Sequence, residues 1–207
     1  MSDSKSYDIL FKIVFVGLSK VGKSAIVSRY VDNMFSMRNQ TIHPEFHVRN
    51  VVVDNIKVSL QIWDQGGCDR YMNLGNLFYR NAKGVFMVFD ICKRDSFEYC
   101  QSWFDTTTRS VNKYNGFKPE KCVYYLIGNK TDLALDRQVT IEEAEQFSKS
   151  NNIKYLETSA KEATGLILFE SITRDMLLKH TEMEPTSSIS LMYSKSNSTA
   201  SYLSTCC

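Results

Sequence analysis

The sequence lacks the long apolar runs and the blocks of basic residues that mark several broad classes of protein. No stretch approaches the roughly 18 consecutive apolar residues of a membrane-spanning helix. The N-terminus has no apolar stretch behind a basic start, so we expect no signal peptide, and Ser2 stands where N-myristoylation requires glycine. A formal net charge of +2 without a Lys/Arg run argues against a nucleic-acid binder. We therefore expect a chain that is cytosolic when it is made.

Paired cysteines are also missing from most of the chain. The six cysteines lie at positions 68, 92, 100, 122, 206 and 207, without a C-x-x-C pair or a metal-ligand spacing. We expect the first four to be free thiols in a reducing compartment. With 207 residues, of which 43% are hydrophobic and 23% charged, the chain can form one domain with its own core.

Short apolar runs alternate with longer mixed segments over the first 180 residues. The runs are rich in β-branched and aromatic residues, and several end at or just before Gly or Asp, which predicts strands. They occupy positions 11–17, 48–53, 57–63, 84–90, 121–128 and 153–157. Alternation with helical segments predicts an α/β fold: a mostly parallel six-stranded sheet with helices on both faces. In such sheets ligands bind at the carboxyl ends of the strands.

Local signals refine this prediction. The polar pair Asp54 and Asn55 between two apolar runs predicts a hairpin turn. Thr140 followed by Glu143 predicts a capping box at the start of a helix. Apolar residues at helical spacing, Leu168, Ile172 and Met176, predict the last helix.

The composition changes after residue 180. Of the 27 residues from 181 to 207, eight are Ser and four are Thr, and Lys195 is the only cation. Such a segment buries too little apolar surface to offset its ordering entropy. We therefore predict a domain at 1–180 and a disordered Ser/Thr-rich tail at 181–207.

Residues 17–24 read GLSKVGKS and match the phosphate-binding pattern G-x-x-x-x-G-K-S. An apolar strand precedes this loop and a helix-compatible run follows it, so consecutive backbone amides and a helix N-terminus would surround phosphates. The Lys23 ammonium would reach the β- and γ-phosphates, and the Ser24 hydroxyl would bind Mg²⁺. Lys20 either adds charge near the phosphates or points to solvent, and we favour solvent. The predicted contacts are Ser19, Lys20, Val21, Gly22, Lys23, Ser24 and Ala25.

The phosphate pattern does not distinguish ATP from GTP. Asn129-Lys130-Thr131-Asp132 follows a predicted strand, and the Asp132 carboxylate could accept hydrogen bonds from both N1 and N2 of guanine. Adenine would leave that carboxylate unpaired, which disfavours it. An ATP-using enzyme such as a small kinase is the alternative, to be excluded by a preference for GDP over ADP.

In these motifs the sequence resembles the Ras-like small GTPases, and residues 58–64 (VSLQIWD) and 78–84 (FYRNAKG) resemble the Rab branch. The resemblance implies GTP/GDP and Mg²⁺ as ligands, with Thr41 and Asp64 on the metal and Gly67 on the γ-phosphate. It also places an aromatic residue, here Phe35, over the base, although a core contact is the alternative. The implied guanine contacts further include Asn129, Lys130, Asp132, Ser159, Ala160 and Lys161.

The resemblance implies catalysis by Lys23, Thr41, Gly67 and a glutamine, but Cys68 stands at the position of that glutamine. A thiol is a weak hydrogen-bonding group, so we expect slow hydrolysis of GTP. The alternative is a pseudo-GTPase scaffold that stays GTP-bound. A nucleophilic or redox role for Cys68 is weaker, because no histidine is adjacent. Switch I also departs from the family pattern at Pro44, so the family's effectors cannot be assigned.

The terminal pair Cys206-Cys207 resembles a Rab signal for two geranylgeranyl groups. Two lipid chains anchor a protein stably where one does not, and the tail offers no polybasic second signal. The resemblance therefore implies a monomer in the cytosol and on the cytoplasmic face of an endomembrane. Its implied protein partners are an exchange factor, an activating protein, a GDP-dissociation inhibitor and effectors of vesicle traffic.

Overall fold

The computed structural model describes residues 6–36, 44–64, 78–109 and 118–193. Six strands form one sheet in the order β2-β3-β1-β4-β5-β6. The β2–β3 pair is antiparallel and the other neighbouring strands are parallel. The predicted α/β fold with a mostly parallel six-stranded sheet is confirmed. The strands are β1 (Ile9–Val16), β2 (Glu45–Val53), β3 (Ile56–Asp64), β4 (Ala82–Asp90), β5 (Val123–Asn129) and β6 (Lys154–Thr158).

Helices pack on both faces of the sheet. Because side chains alternate along each strand, a single strand contributes to the buried layers on both faces. Phe11, Ile13 and Phe15 of β1 enter one buried cluster, and Val14 and Val16 enter the other. Helices α1 and α4 contribute to the first cluster, and α2 and α3 to the second. Their bounds are α1 (Lys23–Asp32), α2 (Arg94–Arg109), α3 (Ile141–Ser150) and α4 (Leu168–Met183).

The parallel strands bring five chain segments together at one edge of the sheet. The strand β3 ends at Asp64, β4 at Asp90 and β5 at Asn129, each with a side chain able to bind a ligand. The loop after β1 leads into α1, and the loop after β6 begins at Ser159. This edge therefore carries the motifs singled out in the sequence.

Two local predictions are also confirmed. Asp54 and Asn55 have φ of 50° and 64° and connect β2 to β3 as a tight hairpin turn. At the start of α3 the Thr140 side chain accepts a hydrogen bond from the Glu143 amide, and the Glu143 carboxylate accepts one from the Thr140 amide.

The predicted domain boundary after His180 differs from the structure. The helix α4 continues to Met183, and a further helical turn spans residues 188–193. Ser187 Oγ accepts a hydrogen bond from the Ser190 amide at 3.1 Å, and Ser190 Oγ donates to the Glu184 carbonyl at 2.6 Å. We call residues 184–193 the C-terminal strap.

The strap ends on the core of the domain. Tyr193 is only 4% exposed, and its hydroxyl donates to Asp54 Oδ2 at 3.1 Å. Serines that composition assigns to a disordered tail instead satisfy backbone groups of a helical turn. The remainder of the predicted disordered tail, residues 194–207, lies outside the described residues. In the described ranges, no helix is long and apolar enough to cross a membrane.

Candidate nucleotide-binding site

The loop between β1 and α1 lies against β4, with no room for a side chain at its first glycine. A Cβ atom on Gly17 would lie 2.1 Å from the Val88 carbonyl oxygen. The Lys23 ammonium turns back over the loop and donates to the carbonyls of Gly17 and Leu18 at 2.7 and 2.9 Å. The loop thus holds a buried cation at the start of a helix, an arrangement that suits phosphate groups.

The two described candidate Mg²⁺ ligands lie together. Ser24 at the start of α1 donates its hydroxyl proton to Asp64 Oδ2 at the end of β3. Hydroxyl and carboxylate oxygens are the ligands that Mg²⁺ prefers, and Asp64 is fully buried. The pair therefore fits a magnesium site.

Burial shifts the pKa values of Lys23 and Asp64 in opposite directions. Desolvation lowers the pKa of Lys23, although the nearby Asp64 carboxylate raises it in part. Desolvation also raises the pKa of Asp64, against the hydrogen bond from Ser24 and the charge of Lys23. Both shifts mean that charge is poorly solvated here. An anionic ligand and a divalent cation would supply the missing counter-charge.

Three buried polar atoms at this edge lack a hydrogen-bond partner among the described residues: Ser19 Oγ, Asp64 Oδ1 and Asn129 Oδ1. Buried polar groups are nearly always paired in folded proteins, by protein, water or ligand. A cluster of three such atoms around the phosphate loop is therefore consistent with a polar ligand.

A direct contact joins the phosphate loop to the segment after β5. The Asn129 amide donates to the Val21 carbonyl at 2.8 Å. Gly22, with φ of 98°, makes room for it, since a Cβ there would lie 2.2 Å from Asn129 Nδ2. The two motifs, more than 100 positions apart in sequence, thus lie in direct contact.

The candidate base-recognition carboxylate is held by the loop after β6. Ser159 Oγ donates to Asp132 Oδ1 at 2.6 Å, and Lys161 Nζ lies 3.5 Å from Asp132 Oδ2. Lys130 adopts a left-handed φ of 70°, and its ammonium donates to Asp90 Oδ2 at 2.7 Å. The structure thus brings together four predicted guanine-site residues, Lys130, Asp132, Ser159 and Lys161. It adds Asp90, which the sequence motifs do not indicate.

Several other predicted contacts occupy the same edge. Phe35 is 37% exposed, so it is not a core residue, and its ring centroid lies 5.9 Å from the Arg29 guanidinium carbon. Lys20 has a left-handed φ of 65° and an exposed side chain, the alternative that we favoured. Ala25 follows Ser24 in the first turn of α1, and Ala160 is buried beside Ser159.

The remaining predicted site residues lie outside the described part of the chain. These are the switch residues Thr41, Gly67 and Cys68 and the lipidation pair Cys206 and Cys207.

Sequence reasoning missed two residues of the site, Asp90 and Arg29. Asp90 ends an apolar strand, the same signal that singled out Asp64, and so could have been found. Arg29 lies within a helix, and nothing in the local pattern indicates its contacts with residues 131 positions away.

Comparison with known proteins identifies the family of the chain. A model of the Ras family matches residues 12–178. The GTP-binding protein ypt3 of Schizosaccharomyces pombe is 40% identical over 167 residues, which is 80% of this chain and 75% of that protein. The human Ras-related protein Rab-15 is 38% identical over 172 residues, 83% of this chain and 77% of its own length. Rab11A of Lotus japonicus is 39% identical over 160 residues, 77% and 68% of the two chains. The chain therefore belongs to the Ras family of small GTPases and is a Rab-like member of it.

Proposed function

We propose that this protein is a small GTP-binding switch that cycles between GTP and GDP and recruits effector proteins in intracellular vesicle traffic. The observation that carries the proposal is the junction of two motifs: Asn129 donates to Val21 and so fixes the base-recognition segment against the phosphate loop. The names of the relatives, a GTP-binding protein and several Rab proteins, support the same function.

Each part of the site has a chemical task in this proposal. Lys23 and the amides of the loop would bind the phosphates, and Ser24, Asp64 and the switch residue Thr41 would hold Mg²⁺. The metal supplies counter-charge to the phosphates when it is bound. Gly67 and Thr41 respond to the γ-phosphate, so that its loss releases both switch segments.

Guanine specificity rests on Asp132. Its oxygens are positioned by Ser159 and Lys161, so the carboxylate is preorganised to accept two hydrogen bonds from guanine. Titration calorimetry with GDP and ADP, in the presence of Mg²⁺, tests this. We expect GDP to bind far more tightly, and Asp132→Ala to weaken GDP binding on the order of 100-fold with little effect on ADP. Equal affinity of the wild type for ADP and GDP would refute the proposed function.

We further propose that hydrolysis of GTP is slow because Cys68 replaces the glutamine that orients water. A displacement of about 1 Å in a reacting group can cost on the order of 100-fold in rate. Single-turnover release of phosphate from γ-labelled GTP should be several-fold faster in Cys68→Gln than in the wild type. Equal rates would contradict this role and direct attention to Gln65. A wild type that releases no phosphate, even with an activating protein, would favour the pseudo-GTPase alternative.

The membrane attachment that we propose depends on Cys206 and Cys207. Two geranylgeranyl groups would anchor the protein to an endomembrane, and an exchange factor, an activating protein and a GDP-dissociation inhibitor would control its cycle. Mass spectrometry of the C-terminal peptide from eukaryotic cells should find both thiols modified, and replacing both by serine should leave the protein in the cytosol.

A further inference from the structure

Arg29, on helix α1, contacts the loop that is proposed to recognise guanine. Its Nε donates to the Ala160 carbonyl at 2.9 Å, and its Nη2 donates to the Lys161 carbonyl at 3.2 Å. The same helix begins at Lys23, which belongs to the phosphate site. One side chain thus ties the base loop to the helix that carries the phosphate-binding residues.

The same guanidinium also hydrogen-bonds the C-terminal end of α1. Its Nη1 donates to the Asn33 carbonyl at 3.0 Å, where Asn33 ends the helix in a left-handed conformation. Two residues further on, the Phe35 ring centroid lies 5.9 Å from the guanidinium carbon, within the range of cation–π attraction. Arg29 therefore contacts both segments that would enclose a base, Phe35 on one side and Ala160 on the other.

Contacts within the base loop, residues 159–164, hold its two ends. Ser159 pairs with Thr164 through reciprocal backbone hydrogen bonds, and the Ser159 hydroxyl donates to Asp132 and accepts from the Glu162 amide. Arg29 binds the next two carbonyls, so it restricts the peptide groups that follow the Ala160 amide. The planar guanidinium presents several donors in a fixed geometry, which a lysine cannot reproduce.

We infer that Arg29 is a positioning residue for guanine binding: it holds the Ala160 amide and Phe35 in place against the base from the far side of the site. This inference rests on the proposed function and on the contact that the family resemblance implies for Ala160, whose amide would donate to the guanine O6 atom. In this inference Arg29 acts through Ala160 and Phe35 and not through a contact of its own with the nucleotide. Its loss should free the loop and weaken the contact with the guanine O6 atom selectively.

The test compares two nucleotides that differ at O6 and N1. GDP carries the O6 carbonyl and an N1–H donor, whereas the diphosphate of 2-aminopurine riboside lacks both and keeps the 2-amino group. The missing N1–H affects Asp132 equally in every Arg29 variant, so the effect of the variant on each nucleotide reports on O6. We expect Arg29→Met to weaken GDP binding about 10-fold and binding of the 2-aminopurine nucleotide by about 2-fold or less. Arg29→Lys keeps the charge but loses the planar arrangement of donors. Its affinity for GDP should therefore lie between that of the wild type and that of Arg29→Met.

Arg174→Met is the matched control. Arg174 also lies on a helix and makes charge-assisted hydrogen bonds, to Asp54 and Glu170, but on α4 away from the site. Arg174→Met should lower the midpoint of thermal unfolding without changing the ratio of the affinity for GDP to that for the 2-aminopurine nucleotide. If Arg29→Met does not fold, Arg29→Lys takes its place, and it should still weaken GDP binding more than binding of the 2-aminopurine nucleotide.

The outcomes separate the inference from the proposed function. Equal weakening of both nucleotides by Arg29→Met, or no change in GDP affinity beyond that of Arg174→Met, would overturn the inference and leave Arg29 a residue for stability alone. Failure of the wild type to prefer GDP over ADP would instead overturn the proposed function.

Discussion

At the scale of the residue, Gly22 decides whether the two halves of the site can touch. Its φ of 98° suits glycine, and the missing side chain leaves space for the Asn129 amide. An alanine there would bring its Cβ within 2.2 Å of Asn129 Nδ2, closer than two such atoms can approach. The loop and the segment after β5 would have to separate, and the hydrogen bond to the Val21 carbonyl would break.

We predict that Gly22→Ala weakens GDP binding on the order of 100-fold, since both strain in the loop and the lost hydrogen bond oppose the bound geometry. Titration calorimetry measures this. Gly84→Ala is the control, because a Cβ there meets the flexible ends of Met176 and Ile172 at 2.9 and 3.0 Å in the core. It should lower stability and retain the affinity for GDP. A Gly22→Ala variant with wild-type affinity would contradict the geometry described.

Individual residues were predictable where the chemistry is contiguous in sequence. Lys23 and Ser24 follow Gly22 directly, and Asn129 and Asp132 lie in one short segment, so spacing alone marks them as candidates. Arg29 was not predictable in this way, because its acceptors are backbone carbonyls. Carbonyls carry no sequence signature, and only the fold brings them near the guanidinium.

At the scale of the element, helix α3 depends on a capping box that is linked to a neighbouring helix. Glu143 accepts from the Thr140 amide, and Arg94 at the start of α2 binds the same carboxylate. The Arg94 guanidinium is the largest cause that holds the pKa of Glu143 at about 2, below the ordinary value of 4.5. The cap therefore joins two helices on one face of the sheet.

We predict that Glu143→Gln destabilises the protein at pH 7 and that the difference from wild type shrinks in acid. Because the pKa is lower in the folded state, the carboxylate stabilises the fold above about pH 4.5 and loses this effect as the pH falls towards 2. Urea denaturation at pH 7 and at lower pH values measures the difference. Glu142→Gln removes a charge from the same helical turn without the link to Arg94 and should have a smaller effect. A difference that is independent of pH would refute the link.

Whole elements were easier to predict than their bounds. The apolar runs identified all six strands: the inner strands are buried on both faces, and the edge strands β2 and β6 still pack apolar side chains against the core. The strand β2 was predicted to begin at Val48 but begins at Glu45. Its first residues are polar or exposed and join the sheet by backbone pairing with β3, where Glu45 lies opposite Asp64. Composition does not encode such pairing.

At the scale of the whole molecule, the C-terminal strap extends the domain beyond its predicted limit. Tyr193 fills a site at the edge of the core and binds Asp54 at the β2–β3 turn, which Arg174 of α4 also binds. A single buried ring with a hydrogen-bonded hydroxyl can hold a short segment that its serine content would leave unfolded. Composition does not indicate the strap, because Tyr193 is a single aromatic residue in a segment rich in polar residues.

We predict that Tyr193→Ala detaches the strap and leaves the rest of the domain folded. Hydrogen exchange should show the Ser190 and Leu191 amides, which are bonded to Ser187, losing their protection. Tyr193→Phe, which loses only the hydrogen bond to Asp54, should reduce protection by about 1 kcal/mol, or roughly 5-fold. Met192→Ala, at an exposed position, is the control. Unchanged exchange in Tyr193→Ala would mean that the strap does not depend on this contact.

The strap also sets how far the domain can stand from a lipid bilayer, if the terminal cysteines carry the anchor as proposed. An extended chain spans at most about 3.6 Å per residue, so a flexible linker that began after His180 could reach about 95 Å to Cys207. With Tyr193 held, only the last 14 residues remain, and the ceiling falls to about 50 Å. The linker then leaves the domain beside the β2–β3 turn instead of at the end of α4. Release of Tyr193 would free the 24 residues after Met183 and raise the ceiling to about 86 Å, so this one contact limits the distance from the bilayer at which the domain can meet a partner.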